Sequence, residues 1–378
     1  MIPSEFDYVA PASLDDALAL LREGGEDAKL LAGGHSLIPL MKLRLAVPSL
    51  LVDLRHVGDL RGIERANGDW RIGALTRHAE LQGQPEVGLA SEVASTIADQ
   101  QVRNRGTIGG SLAHGDSASD LPTVLLATEG AVVARGPGGQ REIAAGDLFV
   151  DYLTTALEPT EIVTHVRLPA LEDYGHAYEK FTRRAEDWAM VGVCALVKKA
   201  GDGSCEDVRV AFTNMGATPL RARAVEDALR GGPLDADAIA GAAEHAAEGT
   251  DPPGDLNATP EYKQHLARVL TRRADPRRRL TPRRRPSRCG RTGSGRRWPV
   301  SPGPARGPWQ GPWGCSAGVV SHGVAVWYPG LTTLRRTPHD HDVQPAWTRG
   351  AAGTLRPGGA VMPVISLRSA ACGAPRRR

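Results

Sequence analysis

The chain has 378 residues, enough for two or three domains, and 41% of them are hydrophobic, ample for a buried core. Its formal charge of +3 hides a split: residues 275–378 carry 19 Arg, 3 Asp and no Lys or Glu, a net +16, which leaves residues 1–274 acidic at −13. No run approaches the ~18 consecutive apolar residues of a membrane span, the N-terminus lacks the apolar core of a signal peptide, and the five cysteines form no Cys-x-x-Cys, which argues against a disulfide framework and against an iron–sulfur or zinc site here. A cytoplasmic, thiol-reduced setting follows.

In chain order, Phe6, Tyr8 and Ala10 alternate as in a short strand. Ser13 is placed to cap a helix whose first turn holds Asp15 and Asp16 and whose apolar face is Leu14, Ala17, Leu18 and Leu21. Gly24-Gly25 ends it, and 29–32 reads as a buried strand. That strand runs directly into Ala32-Gly33-Gly34-His35-Ser36. A short helix over 37–43 and a strand over 50–53 complete a small α/β unit with its glycine loop at a strand end, where ligands commonly sit. Gly-x-Gly-x-x-Gly is absent, so the unit is not read as a Rossmann dinucleotide fold.

A strand over 70–74 and helices over 77–81 and 88–97 lead into a second stretch dense in Gly, Ser, Thr and Asp, residues 101–122. Glycines let a backbone approach a ligand closely. Consecutive N–H groups in such a turn make a concave anion site, to which hydroxyls add donors. Two Gly-Gly-hydroxyl loops, Gly33-Gly34 with Ser36 and Gly109-Gly110 with Ser111, suggest one phosphate-bearing ligand held from two sides. Beyond them, strands are expected over 131–134, 141–144 and 161–168, with a Gly-Pro-Gly-Gly turn at 136–139 and a linker at 172–175.

The remainder reads as strands over 176–183, 190–198 and 208–212, then helical stretches over 219–229 and 235–247. A last helix is capped by Thr259 with Pro260 at its first position. Its apolar stripe is expected to be Tyr262, Leu266, Val269 and Leu270. Strands followed by helices indicate an α+β domain. From Asp275 the chain changes character: 14 of its 28 Pro and 5 of its 7 Trp fall in these 104 residues, with no sustained period. An out-of-frame reading of GC-rich DNA accounts for this composition. A basic nucleic-acid-binding arm is the rival and the less favoured reading.

The pair Ala-Gly-Gly-His-Ser and Thr-Ile-Gly-Gly-Ser, with Val102-Arg103-Asn104-Arg105 before the second loop and Asp120-Leu121-Pro122 after it, resembles the FAD-binding medium subunit of the carbon monoxide dehydrogenase and xanthine dehydrogenase family of molybdenum hydroxylases. The resemblance runs from about Phe6 to about Ala274. It implies an α+β chain: a two-part FAD-binding domain of the PCMH/vanillyl-alcohol-oxidase type over 1–173, then a smaller domain with an antiparallel sheet and helices over 175–274.

The same resemblance implies FAD as cofactor, held by Ala32, Gly33, Gly34, His35 and Ser36, by Thr107, Ile108, Gly109, Gly110 and Ser111, and by Asp120 and Lys180. Asp120 would accept from FAD hydroxyls, or else cap a helix. Lys180 would set a cation near the flavin, or else face solvent from its strand. Arg103 and Arg105 would face phosphates or a partner, and Trp188 would sit near the flavin or in the core. The implied partners are a molybdenum-cofactor large subunit and an iron–sulfur small subunit, in a dimer of heterotrimers. Electrons would pass through the FAD to NAD or a quinone-type acceptor. Carbon monoxide, purines, aldehydes and N-heterocycles all stay open as substrates of the complex. No catalytic triad, zinc spacing or carboxylate pair stands out, which suits a subunit whose cofactor performs the chemistry. A free-standing FAD oxidoreductase is the alternative.

Overall fold

A computed structural model describes residues 2–274; the tail assigned above to frameshift or nucleic-acid binding lies outside the described residues. The chain opens with strand β1 (Asp7–Val9), helix α1 (Leu14–Gly24), strand β2 (Ala28–Leu31), helix α2 (Leu37–Lys42) and strand β3 (Leu50–Asp53). The strands form a parallel sheet in the order β1-β3-β2. Ser13 caps α1 as expected, accepting from the Asp16 N–H, and Ala17 and Leu21 are its buried residues. They pack with Val52, Leu54 and Leu60 in a small core of their own.

A second sheet is antiparallel. Strands β4 (Ile63–Ala66) and β5 (Asp69–Gly73) form its first hairpin. Four short helices follow: α3 (His78–Gln82), α4 (Leu89–Ser95), α5 (Gln100–Arg103) and α6 (Ile108–His114). Helix α7 (Asp120–Thr128) then leads to the hairpin of β6 (Ala131–Gly136) and β7 (Gly139–Ala144). After α8 (Ala145–Leu148), the pair β8 (Phe149–Asp151) and β9 (Thr154–Thr155) precedes the long β10 (Ile162–Pro169). The order is β4-β5-β10-β6-β7. Leu121, Val124 and Leu125 of α7 join Val132, Val166 and Leu168 of the sheet in the largest core. β4, β8 and β9 are absent from the sequence reading. β4 alternates too weakly, and the other two are too short to show a period.

The third sheet carries β11 (Tyr174–Phe181), β12 (Val191–Lys199), β13 (Cys205–Thr213) and β14 (Leu220–Arg221), antiparallel and in chain order. Helices α9 (Arg223–Leu229), α10 (Ala236–Glu244) and α11 (Pro260–Arg273) bury their apolar residues with this sheet. The helical stretch expected from Pro219 starts later, because Leu220 and Arg221 pair with Phe212 and Ala211 as an edge strand. The stripe expected on α11 is also rotated. Tyr262 is exposed, whereas Lys263 is wholly buried with Leu266, Ala267 and Leu270. The Lys263 ammonium reaches the Pro253 carbonyl at 2.7 Å and Asp255 at 2.8 Å, which satisfies a charge no apolar pattern would place inside. Among the described residues no helix is long and apolar enough to cross a membrane.

Candidate functional site: a cleft between two glycine loops

A cleft of about 490 Å³ opens where β2 runs into α2 and where α5 turns into α6. It brings together eleven of the twelve residues singled out from the sequence: Ala32, Gly33, Gly34, His35, Ser36, Thr107, Gly109, Gly110, Ser111, Asp120 and Lys180. Ile108 is the exception. Its side chain is buried in the main core with Leu112 and Leu121, so it supports the loop from behind.

The two loops touch. A Cβ on Gly33 would lie 2.5 Å from the Arg105 carbonyl oxygen and 2.8 Å from the Gly106 Cα. Gly34 has φ +79°, a left-handed conformation that an L side chain resists. The backbone N–H groups of Gly33, Gly34, His35 and Ser36 have no protein acceptor among the described residues. This loop therefore presents a run of donors to the cleft.

The second glycine stretch differs from expectation: it is not a loop but the capped first turn of helix α6, with Thr107 at the cap and Gly109, Gly110 and Ser111 inside the helix. The Ile108 N–H donates to Thr76, the Gly109 N–H to Ala74, and the Ser111 N–H to the Thr107 carbonyl. The Gly110 N–H donates to the Thr107 hydroxyl at 3.2 Å, the cap of α6. Its donors are spent on the fold rather than left for an anion. Gly109 is glycine because a Cβ there would stand 2.6 Å from the Ala74 Cβ and 2.8 Å from the Ala74 carbonyl oxygen. What this helix start offers the cleft is the close, side-chain-free backbone of Gly109 and Gly110 and the Ser111 side chain.

Asp120 is the first residue of α7, and Ser119, not Asp120, holds the cap position. Its carboxylate accepts from the Tyr178 hydroxyl at 2.5 Å and from the Lys180 ammonium at 2.8 Å. Tyr178 and Lys180 are two apart on β11 and so point to the same face. Lys180 is therefore buried and paired instead of facing solvent. Burial pushes the Asp120 carboxyl upward, and Lys180 and Tyr178 offset part of that by favouring the charged form. Burial, and then the Asp120 charge, push the Tyr178 hydroxyl well above its ordinary range, so it stays a donor. The network continues through Thr213 to Thr123, whose hydroxyls are 2.7 Å apart, and so ties α7 to β13.

Several lining residues carried no sequence signal. His78 is 5% exposed and its Nδ1 has no partner. Burial, with His35 and Arg103 nearby, holds its ring down to about 4, so it is neutral at pH 7. Ile97, Ala98, Leu157, Ile162 and Val163 supply apolar wall. A lone His and scattered aliphatics are indistinguishable in sequence from ordinary core. Trp188 lines the mouth beside Glu186 and Asp187 and is 66% exposed, which rules out the core reading. Arg103 faces no open anion site; its guanidinium donates to the carbonyls of Ile97 and Ala98.

This arrangement fits FAD: a run of unused N–H donors, a cradle that a Cβ at Gly33 or Gly109 would fill, apolar wall and a buried cation in one cleft of cofactor size. Comparison with known proteins agrees. Residues 4–171 match the model for the FAD binding domain in molybdopterin dehydrogenase, and 176–275 that for the CO dehydrogenase flavoprotein C-terminal domain. The carbon monoxide dehydrogenase medium chain of Hydrogenophaga pseudoflava is 41% identical over 279 residues, 72% of this chain and 97% of that one. A 6-hydroxypseudooxynicotine dehydrogenase complex subunit alpha of Paenarthrobacter nicotinovorans is 39% identical over 278 residues, 72% of this chain and 94% of that one. A solved Hydrogenophaga pseudoflava carbon monoxide dehydrogenase superposes with a TM-score of 0.70 at 43% identity, covering 72% of this chain and 97% of that chain. Quinoline 2-oxidoreductase from Pseudomonas putida 86 gives 0.69 at 33% identity, covering 72% and 96%.

Proposed function

The chain belongs to the family of FAD-binding medium subunits of molybdenum hydroxylases, and from that premise we propose that it relays electrons from iron–sulfur clusters of a small subunit, by way of its FAD, to NAD or a quinone-type acceptor. Bound FAD supplies the electron-accepting chemistry that no side chain of this chain has. The chain's own residues bind, orient and shield it. The free N–H groups of Gly33, Gly34, His35 and Ser36 hold the pyrophosphate. The Thr107–Ser111 start of α6 would meet it from the other side with the bare backbone of Gly109 and Gly110 and the Ser111 hydroxyl. Lys180, held by Asp120, places a positive charge beside the ring. A cation in a partly desolvated site favours negative charge on a neighbouring group.

The convergence of both glycine loops with the Asp120–Lys180 pair in one cleft carries this reading. The oxidation of substrate falls to a molybdenum-cofactor large subunit, in a cytoplasmic dimer of heterotrimers. The test is a visible absorption spectrum of the purified full chain, with chromatography of the released chromophore. Flavin bands and about one FAD per chain support the proposal. A colourless chain that also takes up no added FAD overturns it. Co-purification with a molybdenum subunit and an iron–sulfur subunit tests the assembly.

A further inference from the structure

Between α4 and α5 the chain makes a tight turn whose three successive carbonyls are each held by a cation. The Lys180 ammonium lies 3.3 Å from the Thr96 carbonyl oxygen. One nitrogen of the Arg103 guanidinium donates to both the Ile97 and the Ala98 carbonyls, each at 2.8 Å. The turn is strained: Ala98 has φ +42°, which for a residue with a Cβ costs about 1–2 kcal/mol. Asp99 locks its far side by capping α5 through the Val102 N–H. Ile97 and Ala98 line the cleft, and Lys180 stands at the same end, bridging from Thr96 to Asp120.

We propose that Arg103 is a positioning residue for the flavin ring: with Lys180 it grips the carbonyls of Thr96, Ile97 and Ala98 and so holds the Ile97–Ala98 wall of the cleft in a strained, pre-set shape. This rests on the FAD reading above. The grip has an electrostatic consequence as well as a steric one. Carbonyl oxygens committed to Arg103 and Lys180 are not aimed at the ring, where their negative ends would oppose added electron density. The apolar faces of Ile97 and Ala98 are what remain for a planar ring to lie against. Arginine is needed because its rigid guanidinium does two things at once, one nitrogen holding both carbonyls while a second donates to the Gln100 side-chain oxygen at 3.3 Å, which the single ammonium of lysine does not match. The third Arg103 nitrogen, Nε, is buried without a partner, so the side chain is committed to this turn at a cost in its own hydrogen bonding.

The experiment compares wild type, R103K, R103Q and the double variant R103Q/A98G as full chains. Affinities for FAD and for ADP are measured by fluorescence, with the visible circular dichroism of bound flavin. ADP shares the pyrophosphate but lacks the ring. The expected result is that R103Q and R103K weaken FAD by about tenfold or more, the equivalent of one hydrogen bond to a charged group. ADP affinity stays unchanged and the flavin dichroism alters. A98G in the R103Q background recovers part of the lost FAD affinity, because glycine adopts the left-handed turn unaided. Equal weakening of FAD and ADP, or wild-type FAD affinity and dichroism in both single variants, overturns the proposal. Uptake of neither FAD nor ADP by wild type overturns the parent reading, and this proposal with it.

Discussion

Gly33 and Arg105 approach until backbone meets backbone: a Cβ on Gly33 would stand 2.5 Å from the Arg105 carbonyl oxygen. Nothing there is the far end of a flexible side chain, so the neighbour cannot swing away. Gly33→Ala is expected to part the two loops, destabilise the chain by about 1–3 kcal/mol as overpacking does, and abolish FAD retention. Gly58→Ala, where a Cβ would meet nothing within 4 Å, serves as the control and should keep both. Denaturant titration and flavin content of the two purified variants check this. Equal behaviour of the pair would remove the close-approach argument.

The second loop is held by its own chain, so Thr107 should matter to folding more than to anion binding. Its hydroxyl accepts the Gly110 N–H as the cap of α6. Thr107→Val keeps the shape and removes the acceptor. A loss of about 1 kcal/mol in unfolding free energy is expected, the usual worth of a cap. FAD affinity should fall by less than in Gly33→Ala. If Thr107→Val instead loses FAD with stability intact, the hydroxyl faces the ligand.

Asp120 and Lys180 are both almost wholly buried and 2.8 Å apart. Removing one charge strands the other. Asp120→Asn or Lys180→Met alone is expected to cost about 3–5 kcal/mol. The double variant should cost clearly less than the sum, because no isolated charge remains. A double-mutant cycle by chemical denaturation measures the coupling. Additive losses would mean that the pair does not act as a unit.

His78 gives the fold a pH dependence. Its folded value is about 4 against an ordinary 6.5, lowered first by burial and then by His35 and Arg103 beside it. Between those values the unfolded chain binds more protons than the folded chain. Stability therefore rises with pH across that window, is complete above about 6.5, and falls as pH drops toward 4. The full effect is about 3 kcal/mol. His78→Gln should flatten the stability profile between pH 4 and 6.5 relative to wild type, whatever it does to stability at pH 7. An unchanged slope would show that His78 does not titrate as a buried group.

Much of this protein was legible in its sequence, because the signals are local. The Ser13 and Thr259 caps, the strands over 131–134 and 190–198, and the two glycine stretches announce themselves through spacing and residue type within a few positions. The likeness of those loops to a known family brought FAD with it, and the family match bears that out. What the sequence left open depends on partners far along the chain. Lys180 could face water or a carboxylate until β11 brought it to Asp120, 60 residues away. Tyr262 and Lys263 sit one position apart on α11, and only the 253–255 loop, which offers acceptors to a buried ammonium, decides which of them goes inside. The donors of 108–111 looked free for a ligand, but Thr76 and Ala74 take two of them across the fold. Residue type and spacing determine which groups can donate, accept or turn. Only tertiary packing determines which of them are already satisfied, and a binding site is built from those that are not.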